Sequence, residues 1–168
     1  MKIQKIIESQ YHACLDMLKQ VILKCPDALW ASETSKNHFL RIVYHALFYT
    51  HLYLQPTEED FVPWPRHRDE SQYLGPVPWP PHNEPKIGKP YTKQELLEYL
   101  DLCHAEVDAK VDRLVLENPS GFNWLPFDKT ELQLYNIRHL QQHIGELSER
   151  LGNQGIEIDW VGMTISET

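Results

Sequence analysis

Apolar residues recur at three- and four-residue steps in four stretches of the chain, the spacing typical of one face of an amphipathic helix. These stretches cover residues 3–22, 39–53, 96–114 and 134–151. Proline is absent from all of them, although the chain contains twelve prolines. Because proline disrupts helix interiors, its absence agrees with the periodicity. We therefore predict four helices.

Capping residues mark the expected ends of these helices. Thr92 and Glu95 have the spacing of a capping box, in which both side chains satisfy backbone N–H groups of the first turn. Asp128 and Glu131 repeat that spacing before the fourth helix, and Gly152 stands where a C-terminal cap is expected. Candidate caps of the second helix are Ser32, Thr34 and Ser35.

Four amphipathic helices with one long connection predict an all-α, up-down-type four-helix bundle. The length of 168 residues suits one domain, since domains usually contain about 100–200 residues. We assign residues 1–168 to a single bundle domain, with an irregular insert at 56–91 and a C-terminal tail at 153–168. Within the tail, residues 156–160 alternate apolar and polar side chains, which indicates a short extended segment laid over the bundle.

Residues 56–91, here called the insert, contain nine of the twelve prolines and five aromatic residues. A connection of this length is usually functional or disordered, because ordinary loops rarely exceed about 12–15 residues. One interpretation is a stiff cover packed on one end of the bundle. The other is a lid or a docking surface for a protein partner, since proline-rich and aromatic segments can act as recognition elements.

Charge and composition exclude several classes of function. The formal net charge is −8, and an acidic surface repels phosphate backbones and anionic lipids. We therefore expect neither nucleic-acid nor membrane partners. No apolar run is long enough for a transmembrane helix, and the N-terminal residues do not resemble a secretory signal. Three widely spaced cysteines argue against a disulfide framework and favour a cytoplasmic location.

Histidine carries the most informative chemistry, because nine histidines are present and two lie four residues apart on the fourth helix. His139 and His143 would share one helix face, so that both imidazoles could reach one metal ion. The spacing alone is weak evidence, since chance gives roughly 0.4 such pairs in a chain of this composition. Leu140 occupies the position where the metalloprotease HExxH motif needs glutamate, which excludes that class.

Helical-wheel positions nominate a third ligand on the second helix. His139 and His143 fall about 60–100° to one side of the apolar stripe, where side chains can point into a bundle cavity. His45 takes a similar position on the second helix, and His38 is its rival. His51 falls on the opposite side, so we expect it to be solvated.

Two segments that contain these histidines resemble the DinB-like superfamily. They are FLRIVYHAL at residues 39–47 and IRHLQQHIGEL at residues 137–147. Similar members are four-helix bundles that bind a divalent metal through one histidine of the second helix and an HxxxH pair of the fourth. The resemblance spans about residues 1–152 and implies the ligands His45, His139 and His143. The insert departs from shorter family members.

The family includes metal-dependent transferases that use bacillithiol, mycothiol or related thiols, and a thiol-dependent isomerase. The resemblance thus implies a small-molecule thiol or electrophile as the partner. An alternative of a different class is a non-catalytic metal-binding or interaction protein that docks through the insert. Bundles of this kind often form homodimers, but the sequence identifies no dimer face.

Three imidazoles on one ion leave a position open for water or substrate, as in catalytic sites. There a divalent ion would favour a thiolate, or would lower the pKa of water to about 7 in the best zinc cases. The sequence does not choose between thiol transfer and hydrolysis, although the family favours the transferase. Imidazole suits Zn, Ni, Fe and Cu, so the ion is a divalent transition metal of open identity.

Neighbouring residues offer support for the ligands. Asn136 and Glu146 lie three residues to either side of the histidine pair, where each could accept a ring N–H. Tyr49 follows His45 by one turn and could line the same cavity or pack in the core. We interpret the three cysteines, Cys14, Cys25 and Cys103, as inert core residues.

Overall fold

The computed structural model describes residues 2–32 and 37–164. In this part of the chain there are five α-helices and no β-strand. A 3₁₀ turn at Val111–Arg113 directly follows the fourth helix. The helices are α1 (Ile3–Lys24), α2 (Asp27–Trp30), α3 (Phe39–Tyr53), α4 (Lys93–Lys110) and α5 (Lys129–Gly152).

The four long helices confirm the prediction from apolar periodicity, and the single turn of α2 is too short for periodicity to detect. Helix α4 begins with the predicted capping box, since the Thr92 hydroxyl accepts from the Glu95 N–H and the Glu95 carboxylate accepts from the Thr92 N–H. Asp128 caps α5 by accepting from the backbone N–H of Glu131 at 2.8 Å. Each such cap contributes about 1 kcal/mol.

The N-terminus of α3 differs from the expectation. The N-cap position is occupied by His38 rather than by Ser32, and the His38 side chain makes no capping hydrogen bond. The other two candidate caps, Thr34 and Ser35, lie outside the described residues. Asn37 accepts a hydrogen bond at its backbone carbonyl from Arg150 at 2.8 Å, which ties the start of α3 to α5.

The core lies between the four long helices, because α1 and α3 each pack against both α4 and α5. The described residues thus form a helical bundle. Each fully buried leucine, isoleucine or valine adds roughly 1.5–3 kcal/mol of hydrophobic stabilisation. The side chains with no exposed surface include Leu15, Leu18, Ile42, Leu47, Leu96, Leu100, Leu140, Ile144 and Leu147.

The insert contains no helix or strand but contributes to this core. Trp64 stacks on Tyr99 of α4 with ring centroids 4.7 Å apart, and Tyr91 stacks on Tyr44 of α3 at 4.5 Å. Both insert side chains are buried, whereas Trp79 is exposed. Much of the aromatic content of the insert therefore covers the bundle.

The described part of the tail runs in extended form along α1. Gln20 accepts from the backbone N–H of Asp159 and donates to its carbonyl, and Lys24 donates to the Glu157 carbonyl. Among the described helices, none combines the length and apolar content that a membrane span requires.

Candidate metal centre

Helices α3 and α5 bring three histidines to one point of their interface. The Nε2 atoms of His45 and His139 are 3.0 Å apart, and those of His143 and His139 are 3.2 Å apart. One ring nitrogen of each residue lies within 4.8 Å of the other two. The three residues that the sequence nominated are thus neighbours in the structure, and we call them the three-histidine cluster.

Hydrogen bonds at the outer ring nitrogens set the tautomers of two of these side chains. His45 Nδ1 lies 2.6 Å from the backbone carbonyl oxygen of Gln72 in the insert. Since a carbonyl only accepts, Nδ1 carries the proton and donates it. His143 Nδ1 lies 3.3 Å from the Glu146 carboxylate, which likewise accepts. In both neutral rings Nε2 is therefore an unprotonated lone pair that faces His139.

Protein hydrogen bonds cannot satisfy this arrangement. His139 Nε2 carries at most one proton, and it faces two lone pairs. The Nδ1 atom of His139 is buried and has no hydrogen-bond partner among the described residues. A cation at the common point would satisfy all three Nε2 atoms at once. Ligand nitrogens about 2.0–2.1 Å from one ion stand roughly 3.0–3.4 Å apart, which matches the two measured separations.

Burial keeps these histidines neutral. It lowers the pKa of His45 to about 3, although the hydrogen bond to Gln72 opposes the shift. It lowers the pKa of His139 to about 4, and neighbouring His143 adds to that effect. The pKa of His143 is also lowered by burial, against the opposing influence of Glu146. Because metal ligation requires the neutral imidazole, the cluster can bind an ion at neutral pH without losing protons.

Aromatic rings and one ion pair surround the cluster. The Tyr49 ring lies 4.7 Å from His45 and 5.6 Å from His139 between centroids and also packs against the core, so it agrees with both interpretations. Tyr135 is parallel to His139 at 6.5 Å. Arg150 holds the Glu146 carboxylate at 2.7 Å, which fixes the group that accepts from His143.

Two expectations about neighbouring residues were wrong. Asn136 does not contact a ligand ring, because it is fully buried between α3 and α5 and donates to the Thr50 carbonyl at 3.2 Å. His51 is not solvated, since only 5% of it is exposed. The insert and α4 both cover that face of α3, since Phe61 of the insert packs edge-on against the His51 ring at 5.0 Å and the Tyr99 hydroxyl of α4 lies 3.3 Å from His51 Nδ1.

Among the described residues, His38 joins no group of potential metal ligands, and its place as N-cap sets it two turns from His45. The three cysteines are free and buried, which is the environment expected of inert core thiols. Burial raises the pKa of Cys14 and of Cys25 to about 11 and raises that of Cys103 as well. None of them is therefore a thiolate at neutral pH.

The Gln72 carbonyl is a functional partner that sequence reasoning missed. It is a backbone group, so no residue type signals it, and it reaches His45 only because the insert folds back over α3. Arg41, one turn before His45, donates to the neighbouring Tyr73 carbonyl at 2.6 Å and holds this part of the insert in place.

Comparison of the chain with protein-family models, with curated proteins and with solved structures finds no match. The likeness to the DinB-like superfamily therefore rests on residues 39–47 and 137–147 alone.

Proposed function

We propose that this chain is a DinB-like protein with the up-down four-helix arrangement, and that His45, His139 and His143 hold a divalent transition-metal ion. The observation that carries the proposal is the convergence of three Nε2 atoms with no set of protons that satisfies them.

The ligand set favours a catalytic over a structural role. Three neutral imidazoles contribute no negative charge and leave a coordination position open. When bound, the ion would supply Lewis-acid stabilisation of an anion such as a thiolate. The chain's own residues hold the ligands: the Gln72 carbonyl and the Glu146 carboxylate fix two ring tautomers, and Tyr49 narrows access to the ring edges.

The reaction we propose is transfer of a low-molecular-weight thiol to an electrophile. The resemblance of the two histidine segments supports a thiol rather than water as the nucleophile, and zinc, nickel and iron are the candidate ions. The protein's own cysteines do not supply the nucleophile, since all three are buried with raised pKa values. Their reduced state supports a cytoplasmic location.

Docking of a partner through the insert has less support. Trp64, Val77 and Tyr91 are buried, so these apolar side chains already stabilise the bundle. The exposed Trp79 contacts Tyr73 at 5.6 Å between ring centroids and is too small a surface for a protein interface by itself.

The test is a conjugation assay with untagged protein that has been stripped by a chelator and reloaded with Zn²⁺, Ni²⁺ or Fe²⁺. A panel of low-molecular-weight thiols is mixed with an electrophile, and the conjugate is measured by mass spectrometry. We expect product from reloaded wild type and from His38→Ala, a matched substitution at the rejected ligand position. Stripped protein and His139→Ala should form no more product than buffer.

Two results would contradict the proposal at different levels. A protein that carries its ion but conjugates no thiol in the panel would exclude the transferase and leave the metal centre intact. Conjugation by His139→Ala at the wild-type rate would exclude the three-histidine cluster as the site of the reaction.

A further inference from the structure

A second group of ligand-type side chains lies where α1 packs on α4. Glu8 and His12 are one turn apart on α1, and His104 and Asp108 are one turn apart on α4. We call these four residues the seam cluster. Residues four apart share a helix face, so each helix presents a pair of potential ligands to the other.

The distances within the seam cluster are those of metal ligands. His12 Nε2 lies 2.9 Å from an Asp108 carboxylate oxygen. One ligand atom from each of Glu8, His12 and Asp108 lies within 4.8 Å of the other two. Glu8 and His12 are 5% and 9% exposed, so a carboxylate and an imidazole are both held inside the helix interface. The Lys5 ammonium at 2.7 Å balances the buried Glu8 carboxylate, and a bound ion would take over that role.

Neutral His12 and His104 can carry their ring protons in two arrangements, called here the first and the second order. The Nδ1 atoms of His12 and His104 are 2.7 Å apart, so one of them donates to the other. If His104 donates, its Nε2 becomes a lone pair that faces the Asp16 carboxylate at 3.6 Å. If His12 donates, His104 carries its proton on Nε2 toward Asp16, and His12 Nε2 is a lone pair toward Asp108.

In the second order both nitrogens of His104 are paired, but the His12 Nε2 lone pair faces the Asp108 carboxylate at 2.9 Å, so this order requires a cation between them. Without an ion the first order holds, because His12 then donates its Nε2 proton to Asp108; an ion bound by Glu8, His12 and Asp108 would replace that proton and select the second order. Lys5 lies 2.7 Å from Glu8 and also 3.1 Å from Asp112, so it keeps a partner if Glu8 turns to an ion.

We propose that Glu8, His12 and Asp108 bind a second divalent metal ion, with His104 as a positioning residue that fixes the His12 tautomer. One imidazole and two carboxylates suit Zn²⁺, Fe²⁺ or Mn²⁺. The carboxylates neutralise the ion, and ligands from both helices tie α1 to α4. This site is independent of the three-histidine cluster, which lies between α3 and α5.

The experiment is a Zn²⁺ titration of chelator-stripped protein by calorimetry, with Co²⁺ as a spectroscopic probe. Each site is removed in turn. Wild type should bind about two equivalents, and His139→Ala and Asp108→Asn about one each. The combined His139→Ala and Asp108→Asn protein should bind none. In the His139→Ala background, Asp108→Asn and His12→Gln should each weaken binding at least about a hundredfold, and Asp101→Asn should change nothing.

Helix content by circular dichroism checks that each variant is folded. His104→Asn in the same background should weaken Zn²⁺ binding about tenfold, as expected for a residue that acts through a ligand. A His139→Ala protein that takes up no ion overturns the seam site. An ion that survives both Asp108→Asn and His12→Gln overturns it as well. If Asp108→Asn alone abolished all Zn²⁺ binding, that result would contradict the three-histidine site and support the seam site.

Discussion

The three-histidine cluster and the seam cluster both join two helices, but their ligands carry different charge. The first offers three neutral imidazoles from α3 and α5, so a bound divalent ion would keep its full charge and attract an anion. The second offers one imidazole and two carboxylates from α1 and α4, which would cancel the charge of the same ion. Ligand charge therefore separates a site suited to activating a substrate from a site suited to holding two helices together.

The two clusters also differ in the groups that surround them. In the insert, the Gln72 carbonyl accepts a hydrogen bond from His45 of the three-histidine cluster, whereas no contact of the seam cluster described here involves the insert. Asp108 is exposed to solvent, while Tyr49 and Tyr135 stand beside the histidines of the first cluster. Exposure does not divide the clusters, since His45 and His139 are partly exposed whereas Glu8 and His12 are buried, so our assignment of the reaction to the first cluster rests on ligand charge.

The sharpest contrast between the clusters is their response to a thiol. In protein loaded with Co²⁺, an added low-molecular-weight thiol should produce a sulfur-to-cobalt absorption band, because the ion between neutral ligands retains charge for a thiolate. The His139→Ala protein, loaded only at the seam, should show no such band. A thiol band of equal strength in both proteins would contradict the distinction that we draw from ligand charge.

Burial by itself also perturbs a histidine that belongs to neither cluster. Burial lowers the pKa of His51 to about 4 from its ordinary 6.5, although Glu106 opposes the shift. Below about pH 6.5, therefore, His51 becomes protonated in the unfolded chain but stays neutral in the folded protein. Stability contributed by neutral His51 is lost as the pH falls from about 6.5 towards 4, on the order of 2 kcal/mol between pH 7.5 and 5.

His51→Gln should reduce that loss. Urea unfolding of metal-stripped wild type and variant at both pH values gives the comparison, and only the difference in the pH effect is used, because the substitution also changes packing. An equal loss of stability in the two proteins would mean that His51 titrates normally despite its cover of Phe61 and Tyr99.

Supporting groups should affect one cluster without the other. Glu146→Gln weakens the acceptor for His143 Nδ1–H, and removal of such partners costs 10–100-fold in metal affinity. We expect about a tenfold loss at the three-histidine cluster, since Glu146 is partly exposed and its contact is 3.3 Å long. Competition with a chelator measures the affinity, and Glu149→Gln on the same helix serves as the control. Unchanged affinity would show that Glu146 does not orient His143.

The smallest effect is expected from Arg41, which acts on His45 through the insert. Arg41→Gln removes the donor to the Tyr73 carbonyl and loosens the adjacent Gln72 carbonyl that accepts from His45. Affinity of the three-histidine cluster should fall roughly threefold, less than for a direct partner. Arg66→Gln is the matched control, because the Arg66 side chain forms a surface ion pair with Glu98. If Arg41→Gln and Arg66→Gln changed the metal affinity equally, the contact between Arg41 and the insert would not contribute specifically to metal binding.

Local patterns predicted the parts of this protein that depend on one helix at a time. Apolar periodicity located the four long helices, and the four-residue step placed His139 and His143 on one face. The same step is present between Glu8 and His12, but it gains meaning only when α1 packs on α4.

Local sequence patterns could not predict the features that the insert creates. The helical wheel placed His51 in solvent because it considers one helix alone, and the insert then buried that face. The path of the insert follows from proline-rich turns and stacked aromatic rings rather than from a period. Its contribution of a backbone carbonyl to His45 could not be read from residue types.

The most direct test is elemental analysis of untagged protein in the Asp108→Asn background, in which only the three-histidine cluster can hold an ion. Our account predicts about one equivalent of a transition metal, retained with His38→Ala and lost with His45→Ala or His139→Ala. No metal in the Asp108→Asn protein, even after reloading with Zn²⁺, Ni²⁺ and Fe²⁺, would contradict it.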